Sequence, residues 1–139
     1  MITKKEFITW SKKLSVGMPE IDQQHQKFIG LINRTHNLVK EKAKEKELRQ
    51  ILNELTEYAR VHFSTEEKYF KEFHYKYEEE HEEEHEKLLI KVLDFNNQFE
   101  EQGIKILGKF LDFLKDWLKD HLKTYDFKYA KIFKEEGLV

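Results

Sequence analysis

The chain of 139 residues contains no cysteine, and this absence excludes several classes of site. Disulfide-stapled folds, iron–sulfur clusters, thiol catalysis and thiolate zinc sites all need cysteine. Any metal site must therefore use histidine, aspartate or glutamate. The N-terminal stretch MITKKEFITW has no apolar run long enough for a secretion signal, and no later segment approaches a membrane span. We therefore expect a cytoplasmic protein.

Residues that interrupt helices are also scarce, since the sequence has one proline and five glycines. Hydrophobic residues make up 39% of the chain and charged residues 37%, which is typical of helices with separate apolar and charged faces. The formal net charge of -2 provides no basic surplus for binding nucleic acid. The length favours a single domain over residues 1–139.

Apolar residues recur at intervals of three and four in four segments, the spacing of amphipathic helices. The segments begin near Glu20, Leu48, Glu78 and Ile104. They are separated by a charged stretch (40–47), an aromatic turn (73–77) and Gly103, with the third segment ending near Phe99. This pattern predicts an all-α fold, an antiparallel up-down-up-down four-helix bundle with an N-terminal arm. The tail 127–137 either extends the fourth helix or folds back as a short fifth one.

Polar side chains interrupt the apolar stripes of all four segments. They are His25, His62, Glu66, His81, His85, His121 and Asp126. One inward histidine is usually a hydrogen-bonded core residue, because an unpartnered buried polar group is costly. Here, however, two pairs are spaced i, i+4, which places both members of each pair on one helix face.

Alternating helix directions would bring all these positions to the same end of the bundle. Five histidines and two carboxylates are too many ligands for one tetrahedral zinc ion. Two metals that share bridging carboxylates would use the whole set.

The order and spacing H…HxxxE…HxxxH…HxxxxD resembles the ligand pattern of the hemerythrin family. The flanks are similar too: VGMPEIDQQH before the first ligand resembles the bacterial members, HFSTEE resembles the second-helix signature, and WLKDHL resembles the segment around the last histidine. Trp10 agrees with the N-terminal arm of those members. Phe70 departs from a common methionine, and Lys76 departs from a frequent proline.

The resemblance implies two non-haem iron ions that bind dioxygen reversibly. His25 and His62 would hold one iron, and His81, His85 and His121 the other. Glu66, Asp126 and a solvent-derived oxygen would bridge them. The two-histidine iron would keep one position open for dioxygen.

Apolar side chains would shield this position, and the set expected from the resemblance is Phe63, Trp117, Leu118 and Leu122. The implied role is a monomeric dioxygen carrier or store, which is not an enzyme and delivers dioxygen to an oxygen-consuming enzyme. Two alternatives remain open: an oxygen or redox sensor, and a di-iron oxidoreductase for peroxide or nitric oxide.

A ferritin-like di-iron site is a rival interpretation, since it uses Glu-x-x-His on two helices. Glu78 with His81 and Glu82 with His85 have this spacing, but both pairs fall on one helix within a run of glutamates. We therefore treat them as coincidental. Of the other histidines, His36 is expected in the core or at its edge and His74 in an exposed turn.

The spacing between His121 and Asp126 does not fit a regular helix. Five residues at about 100° each leave the two side chains about 140° apart. Either a wide turn with i→i+5 bonding lies between them, or the helix ends or bends near Tyr125, or Asp126 approaches along a different edge of the site. We favour a local distortion between the two residues.

Overall fold

A computed structural model describes residues 6–139, so the first five residues of the expected N-terminal arm lie outside it. Within this range all regular secondary structure is helical, which confirms the all-α prediction. The α-helices are α1 (Pro19–Lys40), α2 (Glu45–Glu72), α3 (Glu78–Gln102), α4 (Leu107–His121) and α5 (Phe127–Glu135). Over residues 6–139, no helix combines the length and apolarity needed to cross a lipid bilayer.

Contacts between neighbouring helices show that they alternate in direction. Gln24, near the start of α1, hydrogen-bonds to Thr65 near the end of α2. Arg34, further along α1, lies 3.6 Å from Glu54, which comes earlier in α2. Helices α2 and α3 also run in opposite directions, as the pairs Glu66–His85 and Arg49–Glu100 show. The pairs His81–His121 and Phe95–Phe110 show the same for α3 and α4. The bundle is therefore up-down-up-down.

The start of α1 agrees with the sequence to within one residue. Pro19 occupies the first helical position, where its missing N–H removes no helix hydrogen bond. Before it, the backbone N–H of Val16 donates to Asp22 Oδ1 at 2.8 Å, and the Ser15 hydroxyl donates to the same carboxylate. These bonds tie the N-terminal arm to the first turn of α1.

Three other boundaries differ from the prediction. Residues Gly103–Ile106 form a 3-10 turn, so helix α4 begins at Leu107 and not near Ile104. Helix α2 already begins at Glu45, so the connection after α1 is shorter than the charged stretch 40–47 suggested. Helix α3 continues to Gln102, beyond Phe99, and stops where Gly103 adopts φ 69°. The additional residues, 45–47 in α2 and 100–102 in α3, carry no apolar stripe. They are nevertheless helical, because no proline or glycine interrupts them.

A five-residue π-turn, Leu122–Asp126, joins α4 to α5. This turn confirms the local distortion predicted from the spacing of His121 and Asp126. An i→i+5 turn takes up one additional residue, so Asp126 lies over His121 much as an i, i+4 residue would. The backbone stays helical through Phe127, so the tail extends the fourth helix and does not fold back.

Two apolar clusters are buried in the bundle, one on each side of a layer of polar residues. The larger fills most of the bundle and includes Phe63, Leu88 and Leu114. The smaller is formed where α5 covers the end, and it includes Phe70 and Tyr129. The tail therefore contributes to the apolar cluster that lies beyond the polar layer.

The larger cluster generates a test of the fold. Leu88 is 1% exposed and Leu93, on the same helix, is 45% exposed. Leu88→Ala should lower the free energy of unfolding by about 2–5 kcal/mol, because it leaves a cavity. Leu93→Ala is the matched control and should change it by at most about 0.5 kcal/mol. Urea denaturation measures both, and equal losses would contradict this packing.

Candidate metal centre

Seven polar side chains converge between the two apolar clusters. They are His25 of α1, His62 and Glu66 of α2, His81 and His85 of α3, His121 of α4 and Asp126 of the π-turn. All seven are buried: His62 is the most exposed at 5%, and both carboxylates are at 0%. The structure thus brings together every residue that the sequence singled out as a metal ligand.

Asp126 lies between histidines of different helices. Its Oδ2 is 3.1 Å from His25 Nε2, while its Oδ1 is 3.0 Å from His81 Nε2 and 3.2 Å from His121 Nε2. The two oxygens of this carboxylate therefore face two different groups of imidazoles.

Glu66 makes a second link between the two groups. Its Oε1 lies 3.3 Å from His62 Nε2 and 3.1 Å from His85 Nε2. Two overlapping sets of ligand atoms result, each compact enough to surround one ion. The sets are Glu66, His81, His85 and His121, and His25, His62, Glu66 and Asp126.

The nitrogen atoms within one set have the spacing of ligands on a common ion. His81 Nε2 and His121 Nε2 are 3.0 Å apart. Imidazole nitrogens bind first-row metals at about 2.1 Å, so two of them at right angles lie about 3 Å apart. The separation is thus compatible with adjacent ligands of one octahedral ion, and it is equally that of a hydrogen bond between two imidazoles.

Most of the facing atoms are not aligned for hydrogen bonds with each other. Both oxygens of Glu66 and of Asp126 have no hydrogen-bond partner within the described chain, and neither does His85 Nε2. Buried polar groups without partners are costly and rare. Their lone pairs converge instead on shared points, so the donor set fits cations.

Charge at the centre also favours cations. Burial alone would raise the pKa of the Asp126 carboxyl, but His121, His25 and His81 hold it well below its ordinary value. Burial and Asp126 oppose ionisation of Glu66, yet His62 and His85 keep its pKa lowered. Two carboxylates that favour the ionised form are therefore buried together, and positive charge must balance them, either on protonated imidazoles or on a bound cation.

The imidazoles differ in their own surroundings. Burial lowers the pKa of His62 to about 4, so its ring is neutral at pH 7. Burial also lowers the pKa of His85, but contacts with Glu66 and Glu67 raise it to about 9 overall. The His85 Nδ1 atom lies 3.4 Å from Glu67 Oε2, whereas His62 Nδ1 lies 2.7 Å from the amide oxygen of Gln24.

Aromatic rings hold several of these imidazoles in place. Phe63 stacks on His85 with 3.8 Å between centroids and 8° between planes. Trp117 stacks on His121 at 4.4 Å. On the other side of the layer, Phe70 contacts His81 at 4.8 Å, so the residue that departs from the hemerythrin pattern packs against the centre.

A small cavity of about 10 Å³ adjoins the centre, close to the least volume that one water molecule needs. It is lined by His25, Phe28, Ala59, His62, Phe63, Trp117, Leu118, His121 and Asp126. It therefore touches His25 and His62, the two histidines of one ligand set. Of the three histidines in the other set it touches only His121.

Three of the four predicted pocket residues, Phe63, Trp117 and Leu118, line this cavity. Leu122 is buried but lines a surface groove beside the N-terminal arm instead. Phe28 and Ala59 line the cavity and were missed. Each is three residues from a candidate ligand histidine on the same helix, which places it on the face of that histidine but does not say that a cavity lies there.

The remaining candidates lie outside the centre. Glu78 and Glu82 are part-exposed and belong to neither ligand set, in agreement with the rejection of the ferritin-like interpretation. His36 is partly buried and stacks on Phe7 at 4.4 Å. His74 lies exposed in the turn between α2 and α3.

Comparisons with known proteins agree with this centre. Residues 16–133 match the profile of the Hemerythrin HHE cation binding domain. The bacteriohemerythrin of Clostridium acetobutylicum is 32% identical over 124 residues, which cover 86% of this chain and 96% of that protein. That of Stenotrophomonas maltophilia is 27% identical over 123 residues, covering 88% and 79%.

Solved structures show the same fold. Wild-type hemerythrin matches with a TM-score of 0.80 at 23% identity, covering 90% of this chain and 96% of that one. The profile match spans most of the chain, and the bacterial relative aligns along nearly its whole length. The chain therefore belongs to the hemerythrin family, within its bacteriohemerythrin group.

Proposed function

We propose that this chain binds dioxygen reversibly at two non-haem irons and serves as a carrier or store. The family binds non-haem iron, and imidazole nitrogen suits Fe(II). The proposal rests on one observation: two buried ligand sets share a carboxylate and adjoin a small apolar cavity. When bound, the iron pair would supply the reversible coordination of dioxygen.

The residues divide unequally between the two irons. We assign His25 and His62 to one iron, and His81, His85 and His121 to the other. This assignment is supported by the contacts of the carboxylates, since Asp126 and Glu66 each face histidines of both groups. Both carboxylates would therefore bridge, and the two-histidine side would keep the open position.

The cavity favours dioxygen on the two-histidine side. It adjoins His25 and His62, and the apolar side chains of Phe28, Phe63 and Leu118 offer no hydrogen bond that would hold water. These side chains would therefore shield the open position from water and polar reductants on the apolar side of the cavity. Exclusion of water is what a carrier needs in order to release its ligand unchanged.

The donor set favours carriage over oxidation chemistry. Five of the seven candidate ligands are imidazoles, and only two are carboxylates. Carboxylate-rich di-iron sites favour activation of oxygen, so an imidazole-rich site is the better match for binding without turnover. No feature of the described residues specifically favours the sensor or the oxidoreductase alternative.

Reversibility is the direct test of this function. Protein loaded with Fe(II) under argon should change its optical spectrum in air and regain the first spectrum after the gas is exchanged back. Repeated cycles should consume no reductant. Steady-state turnover of peroxide or nitric oxide at a rate that exceeds free iron would instead identify an oxidoreductase.

The ligand assignment predicts the iron content of variants. The double substitution His81→Ala and His85→Ala removes two of the three histidines assigned to one iron, so the protein should lose at least half of its bound iron. His36→Ala removes a histidine outside the centre and serves as control. Elemental analysis measures both, and an unchanged iron content and spectrum in the double variant would contradict the assignment.

Metal removal should destabilise the fold. Without cations, two ionised carboxylates remain buried with unpartnered oxygens. A ligand that binds only the folded state adds about 2.7 kcal/mol at one hundred times its Kd. We expect a clearly lower Tm for the metal-free protein by calorimetry, with hydrogen exchange fastest at the ligand ends of the helices. Equal Tm values with and without iron would contradict this.

A further inference from the structure

A short chain of hydrogen bonds leads from the backbone of α2 to His62. The Thr65 hydroxyl donates to the carbonyl of Val61 at 3.0 Å. Gln24 of α1 donates through Nε2 to Thr65 Oγ1 at 3.1 Å. The other end of the same amide, Gln24 Oε1, lies 2.7 Å from His62 Nδ1. The three bonds form a continuous path, and apart from His62 its residues lie outside the ligand sets.

The donor and acceptor capacities of these groups determine the direction of each hydrogen bond. A hydroxyl has one proton, and the Val61 carbonyl can only accept, so the Thr65 proton is committed there. Thr65 Oγ1 must then accept from Gln24, and only the amide nitrogen can donate. The amide oxygen therefore faces His62, and as an acceptor it requires a proton on Nδ1.

We propose that Gln24 and Thr65 hold His62 in the tautomer with hydrogen on Nδ1, which leaves the Nε2 lone pair free for iron. Gln24 is thus a positioning residue, and Thr65 sets the orientation of its amide. The inference rests on the proposed function for the identity of the metal. Its structural basis, the hydrogen bonds that lead from Val61 to His62 Nδ1, does not depend on which metal binds.

Of the five histidines of the centre, the path of hydrogen bonds reaches only His62. The Nδ1 atoms of His25, His81 and His121 have no hydrogen-bond partner within residues 6–139. His85 has a carboxylate, Glu67, at 3.4 Å. His62 alone is held by a short bond to a neutral amide, which orients its ring without adding negative charge beside it. Loss of the path should therefore affect the two-histidine iron selectively.

The residues of the path allow matched variants. Thr65→Val keeps the shape of the side chain but removes the hydroxyl, so the amide of Gln24 is free to turn over. Thr65→Ser keeps the hydroxyl and is the conservative variant, which should preserve the hydrogen bond to Gln24. Ser64→Ala removes an exposed hydroxyl at the neighbouring position and controls for loss of a helix-surface hydroxyl. Gln24 and Thr65 are both part-exposed, so these changes leave the core intact.

The first measurement uses metal-free protein, so that its result does not depend on iron binding. Nitrogen-15 NMR of the His62 ring at pH 8 should show a single tautomer with the proton on Nδ1. Thr65→Val should give a measurable fraction with the proton on Nε2, and Thr65→Ser and Ser64→Ala should resemble the unmodified chain. A proton on Nε2 in the unmodified chain, or no change in Thr65→Val, would overturn the proposal.

The second measurement tests the consequence for the metal. Gln24→Met removes the acceptor at similar size, and loss of such an outer partner typically weakens metal binding 10–100-fold. Anaerobic competition of Fe(II) with a coloured chelator should show this loss for one iron while the other is unchanged. Equal weakening of both irons, or none, would overturn selectivity. Failure of the unmodified protein to bind any iron would instead refute the proposed function.

Discussion

The burial of two ionised carboxylates inside an apolar bundle is the constraint on which the rest of this structure depends. Glu66 and Asp126 are fully buried, and all four of their side-chain oxygens lack hydrogen-bond partners within residues 6–139. Such burial is tolerated only where positive charge is supplied. The five surrounding imidazoles supply the geometry for it, since each presents Nε2 to the same small volume.

The fold is arranged so that four helices can deliver these groups to one layer. Alternating directions place the start of α1 and α3 beside the end of α2 and α4, and the π-turn brings Asp126 over His121. Helix α5 continues beyond the layer, where the ring of Tyr129 lies 5.6 Å from that of His81 and Phe133 packs in the smaller apolar cluster. The wide turn costs local helix regularity, and the structure retains it because Asp126 would otherwise turn away from the imidazoles.

The two halves of the centre differ in ways that matter for the proposed carrier. The side with fewer histidines adjoins the apolar cavity, and its His62 is oriented by a neutral amide from Gln24. The other side has three histidines, and His85 is near the charged Glu67. Under the proposed assignment, an open iron position beside a mostly apolar cavity, with a more fully ligated iron opposite, would provide the asymmetry that reversible binding of a small neutral gas needs.

Local spacing in the sequence determined much of this protein. The pairs His62–Glu66 and His81–His85, the four apolar stripes and the irregular step from His121 to Asp126 all follow from helix geometry, which depends only on neighbours along the chain. Contacts between helices decided the rest. That Phe28 lines the cavity while Leu122 does not, that the tail continues α4, and that Gln24 turns its oxygen toward His62 depend on packing between residues far apart in sequence. Periodicity places a side chain on a face of its own helix, but it does not say which side chain of another helix will meet it.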